Sequence, residues 1–125
     1  MNRVPYSFGT PAATAAPERV APTLASATVA ANGSSVLLAF SEPVAADLGV
    51  WDELFYLTTE AGQQALTLIS GDGSDGTVTL FAGAYTVYSW HTVTLDYTLS
   101  PAVKDLAGNA LANFADFPVA NDSEQ

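Results

Sequence analysis

Residues 93–114, VTLDYTLSPAVKDLAGNALANF, constrain the fold of this chain more than any other stretch. Val93, Leu95, Tyr97 and Leu99 alternate with Thr94, Asp96 and Thr98, so a strand here has one apolar and one polar face. Asp105-Leu106-Ala107-Gly108-Asn109 then supplies turn chemistry. An aspartate accepts from the backbone N–H two residues on, and Gly and Asn tolerate positive φ. A strand, a tight turn and a returning apolar segment describe the closing hairpin of an antiparallel β domain with one face on the core and one in water.

Similar signals recur upstream. Residues 23–30 read as a first strand ended by the turn residues Asn32 and Gly33. Val36, Leu38 and Phe40 alternate with Leu37, Ala39 and Ser41, and Pro43 stops that strand. Residues 45–54 lose the two-residue period and predict a short helical turn. Residues 55–59, the turn EAGQ and residues 64–70 predict a hairpin, and TVTLF at 77–81 a further strand. In the last strand, 114–121, Phe117 and Val119 are the inward residues, and Pro118 marks an edge strand or a bulge. About seven short strands without a long helix give an all-β, immunoglobulin-like antiparallel β-sandwich over residues 22–121. Residues 1–21 form a Pro/Ala-rich arm with Pro5, Pro11 and Pro17, which predicts extended backbone, partly polyproline II. Residues 122–125 are an acidic tail.

Composition excludes several functions. A chain of 125 residues, 49% hydrophobic, suffices for one domain with its own core. No apolar run is long enough to span a bilayer, and the arm lacks the apolar stretch of a secretory signal. With no cysteine there are no disulfides and no thiolate metal sites. Three basic residues against thirteen acidic ones, a net charge of −10, disfavour nucleic acid and anionic membranes as partners.

Three segments in order, PTLASATVAANGSSVLLAFSEPV, VTLDYT and DLAGNALANF, resemble the bacterial immunoglobulin-like repeats strung in tandem in large surface and adhesin-type proteins, including the SwmB-type repeat. The resemblance covers roughly residues 22–121. It implies a two-sheet sandwich that acts as stalk, spacer or binding unit, without a catalytic site. The chain carries a single copy beginning at Met1, which is similar to the immunoglobulin-like accessory proteins of phage virions.

Individual motifs are then weighed on their chemistry. Asp105 and Asn109 read first as a structural turn, and as Ca²⁺ ligands in the alternative. Asp72 and Asp75, in the loop SGDGSDG, are the best metal candidates by composition, but their spacing matches neither an EF-hand nor a glycine-rich nonapeptide repeat. His91, the single histidine, lacks a nucleophile or metal partner and reads as a structural or surface residue. Asp47, Asp52 and Glu53 form an acidic loop. Tyr85, Tyr88 and Trp90 fill the core or present a protein- or carbohydrate-binding face. Tyr6 and Phe8 are apolar anchors by which the arm docks onto a partner.

The expected function is a non-enzymatic accessory structural protein. It decorates a large assembly, a phage capsid or tail, on the virion surface, held by its arm to a protein partner, with homo-oligomerisation also open. The alternative is a bacterial cell-surface adhesin module that binds carbohydrate or protein, assisted by calcium.

Overall fold

The computed structural model describes residues 20–125, so the expected arm, with Tyr6 and Phe8, lies outside the described residues. Among the described residues are ten strands and one short 3-10 turn at Asp47–Gly49. The strands are β1 (Leu24–Val29), β2 (Ser35–Phe40), β3 (Val44–Ala46), β4 (Phe55–Thr59) and β5 (Gly62–Ala65), followed by β6 (Thr67–Ser70), β7 (Thr77–Phe81), β8 (Val93–Tyr97), β9 (Val103–Asp105) and β10 (Phe114–Asn121). Eight of them form one continuous ladder in the order β5-β4-β8-β10-β1-β2-β7-β6. The ladder folds over itself: Phe40 of β2 meets Phe55 of β4 with ring centroids 6.3 Å apart, although three strands separate them in the ladder. The result is the expected all-β sandwich, with β3 and β9 as a separate antiparallel pair at one pole.

Strand alternation places the core. Val36, Leu38, Leu57, Leu80, Leu95 and Tyr97 are wholly or almost wholly buried, and each fully buried aliphatic side chain stabilises the fold by about 1.5–3 kcal/mol. Trp51, in the segment without period, is 1% exposed and packs on Phe40 and Phe55. Leu99, expected inward, is 47% exposed. The strand stops at Tyr97, and the Ser100 N–H donates to Asn113 Oδ1 at 2.8 Å in the following loop, so alternation no longer sets the side Leu99 takes.

Two features exceed a seven-strand reading. The expected strand 64–70 is divided at the fully buried Leu66. Residues before it pair with β4 and residues after it with β7, so the chain changes sheets there. Asp52 fixes the crossing by accepting from the Leu68 N–H at 2.9 Å. The last strand likewise serves both sheets. Residues 114–119 pair antiparallel with β8, and Ala120 and Asn121 pair parallel with Thr28 and Val29 of β1. Pro118 is therefore not on an edge strand. It sits just past a bulge between Phe114 and Phe117, where Asp116 takes φ 58° and its N–H donates to Asp96 Oδ1 at 2.7 Å. At Pro118 the strand has a ladder partner only on the β8 side, which accommodates a residue without an N–H.

Candidate functional site

The parallel seam between β1 and β10 gives the domain two distinct poles. The chain comes in beside Pro22–Leu24 at one pole and ends beside Ala31 at the other, with the Glu124 N–H donating to Ala31 O at 2.9 Å. The sequence-predicted residues divide between these poles.

Both acidic turns lie at the N-terminal pole. Asp72 Oδ1 accepts from the Ser74 N–H at 2.9 Å. Asp75 Oδ1 accepts from the Thr77 N–H and from the Thr77 hydroxyl, each at 2.9 Å. Hydrogen bonds from Ser74 hold Asp72, and those from Thr77 hold Asp75, below the ordinary carboxylate range. The loop between them presses on the core: Gly73 has φ +86°, and a Cβ there would lie 2.5 Å from Val44 O and 2.9 Å from the Trp51 ring. Asp105, 5% exposed, is pushed up by burial. That push is outweighed by donors, namely the Asn109 N–H at 2.8 Å, Asn109 Nδ2 at 3.1 Å and the Ala107 N–H at 3.0 Å, and the net shift is downward. Val44 connects the two turns, pairing with Asp105 and donating its N–H to Gly73 O at 2.8 Å. These carboxylates thus organise their own loops, and among the described residues no three His, Cys, Asp or Glu side chains gather as metal ligands. Asp47 follows β3, where its N–H donates to Ala102 O at 2.8 Å. Glu53, at φ 63°, donates its N–H to Leu66 O at 2.8 Å.

The aromatic candidates lie at the C-terminal pole and separate into two roles. Tyr85 is half-buried, its hydroxyl bonded to Thr59 Oγ1 and donating to Gly62 O at 3.2 Å, which ties the 82–92 connection onto the β4–β5 turn. Tyr88 and Trp90 are 45% and 68% exposed, with rings inclined by only 6° and centroids 6.4 Å apart. His91 supports them from below. It is 6% exposed, accepts the Tyr88 N–H at Nδ1 at 2.9 Å, and lies 4.2 Å from the Trp90 ring. Asn121 fixes the same loop through Nδ2, donating to Tyr88 O at 2.9 Å and His91 O at 3.0 Å. Beside it, Glu60 accepts the Thr92 N–H at 2.9 Å and is held below its ordinary value by backbone donors of its own residue and of Thr92. The structure thus assembles an exposed two-ring face, held by hydrogen bonds with His91 and Asn121, with the Glu60 carboxylate bonded to the same connection.

A second surface had no sequence signal. Pro22, Leu24, Leu111, Phe114 and Phe117 line an open groove of about 230 Å³ at the N-terminal pole. Its residues come from two segments far apart in sequence, 22–24 and 111–117, so no local pattern could reveal it. The same holds for the Tyr97 hydroxyl, which accepts the buried Val103 N–H at 3.0 Å.

Comparison with protein-family models and with curated proteins finds no match. Among solved structures, the chain is similar to the N-terminal part of the bacterial S-layer protein SbsC, with TM-score 0.61, 19% identity and 81% of this chain covered. It is similar in the same degree to domains 1–6 of surface layer protein SbsC, and to the S-layer protein rSbsC(31–844) at TM-score 0.60 and 20% identity. The chain spans 24% of the first and 14% of each of the other two. At such identity the likeness establishes the sandwich fold.

Proposed function

We propose that the domain is a non-enzymatic structural module of a bacterial cell-surface layer or appendage, one that passes the chain through itself from pole to pole. The observation that carries this reading is the parallel pairing of β1 with β10, which sends the chain in and out at opposite poles. A module whose ends leave at one pole hangs as a side branch, whereas this geometry inserts in line. The surface location is supported by the likeness to S-layer proteins, and the same likeness favours the cell-surface expectation over the virion one. The resemblance of the sequence to tandem immunoglobulin-like surface repeats points the same way.

The chemistry fits a scaffold. The carboxylates that sequence reasoning singled out hold turns together, and the single histidine buttresses a loop. The Tyr88–Trp90 face is the contact surface such a module offers a neighbour or a glycan. The test is immunogold labelling of intact cells of the source organism with antibody raised against residues 20–125. Labelling of the outer surface is expected, and label confined to the cytoplasm or to phage particles overturns the reading.

A further inference from the structure

We infer that the β1–β10 seam is a mechanical clamp that carries tension through the module. This deepens the in-line reading above, since it says how the domain survives a pull on its two ends.

Tension between the poles draws β1 toward the N-terminal pole and β10 toward the C-terminal pole. The two strands are parallel neighbours, so the pull is along the seam. Sliding requires its hydrogen bonds to break together, whereas a pull across a seam peels them one at a time. Ala120 and Asn121 are in register with Thr28 and Val29, the Asp122 N–H donates to Val29 O at 3.0 Å, and the Glu124 N–H to Ala31 O at 2.9 Å. Gln125 Nε2 adds a bond to Ala31 O at 3.3 Å.

The terminal segment is also laced on its other side. The Ser123 hydroxyl donates to Val87 O at 2.6 Å, and the Ser89 N–H donates to Gln125 O at 3.2 Å. Asn121 grips the 88–91 loop through the two bonds described above. Val29 is fully buried and Ser123 is 7% exposed, so water has little access to the bonds these two residues make, whereas those at Ala31 lie at the exposed end of the seam. Gly33 permits the close seating: a Cβ there would stand 2.6 Å from Val87 O, 2.8 Å from Gln125 Cγ and 3.0 Å from Ser123 Oγ. Behind the seam, β2 grips β1 through five register pairs and β8 grips β10 through four, and these ladders too are loaded along their strands.

The test is constant-force unfolding of the chain held by two pairs of handles. One pair attaches at residues 20 and 125 and loads the seam in shear. The other attaches at residue 125 and at Ala31→Cys, an exposed position on the far side of the seam, and peels it. Lifetimes at equal force should be at least tenfold longer in the first geometry. Glu124→Pro, which deletes one seam donor, should shorten the shear lifetime about fivefold, the equivalent of one backbone hydrogen bond. Asp75→Ala, which deletes hydrogen bonds at the opposite pole, should leave it within about twofold. Equal lifetimes in the two geometries, or Glu124→Pro behaving like Asp75→Ala, overturn the clamp. The comparison of geometries requires no weakened seam, and either failure leaves the surface location, read by immunogold, standing.

Discussion

Replacing Tyr97 by Phe isolates one buried hydrogen bond on which the β3–β9 pair depends. Tyr97 is fully buried at the end of β8, its ring 5.0 Å from Phe55 and 5.8 Å from Phe114 by centroids. Phenylalanine keeps both ring contacts and the ring volume. What is lost is the hydroxyl that accepts the Val103 N–H at 3.0 Å, on a residue that is itself fully buried. A buried donor left without its acceptor costs about 1–3 kcal/mol, so about 2 kcal/mol of stability should disappear. With a urea slope typical of this size, the unfolding midpoint should fall by roughly 1 M at unchanged slope. A second signature is the alkaline limb. Burial raises the Tyr97 pKa above its ordinary 10.0, so above pH 10 the unfolded chain releases a proton that the folded chain retains. Stability is therefore full below pH 10 and falls as pH rises through the folded value, and Tyr97→Phe removes this contribution. Urea titrations at pH 7 and across pH 9–11 read both effects. A variant within about 0.5 kcal/mol of the parent at pH 7 would refute the assignment of that bond as what seats β9.

Three further outcomes follow from the same geometry. Gly33→Ala combines φ +74° with the 2.6 Å approach to Val87 O and should cost more than about 1 kcal/mol in urea unfolding, whereas Gly83→Ala, also at positive φ but with open space around its Cβ, should cost less. Asp105, held below its ordinary 3.8, binds its proton more weakly folded than unfolded, so its stabilisation is present above pH 3.8 and lost as pH falls through the lower folded value. Asp105→Asn should flatten the acid limb of the stability curve below about pH 4, and an unchanged limb would show that other carboxylates set it. Trp90→Phe should leave stability within about 0.5 kcal/mol while removing the quenchable part of the tryptophan fluorescence, because the remaining Trp51 is 1% exposed; strong acrylamide quenching of that variant would contradict the packing.

The sequence was most legible where local pattern and tertiary role coincide. Val93, Leu95 and Tyr97 face the core as their alternation requires, and Asp105 and Asn109 close their turn by the aspartate-to-backbone bonds that the residue types imply. His91, expected from its lack of partners to be a structural or surface histidine, is buried and its ring accepts a backbone N–H. Tyr85 and Tyr88, three residues apart in one connection, could not be separated by pattern. What divides them is a hydroxyl partner on Thr59, twenty-six residues away.

The deeper limit is that a two-residue period reports which side of a strand is dry and nothing about which sheet the strand joins. Leu66 is the clearest case: its burial belongs to both sheets, so QALTLIS reads as one strand although the chain crosses the sandwich within it. Pro118 is the mirror image. Proline in a strand argues for an edge, because a central strand needs its N–H groups on both sides. Here the strand is central in the ladder, yet its two neighbours take it in succession rather than together, β8 over residues 114–119 and β1 only from Ala120. A proline is tolerated where just one side is paired, and the change of partner two residues later is what brings the last strand parallel to the first. The residue that looked like a mark of the periphery thus lies at the junction of the two sheets, beside the short parallel seam between β1 and β10.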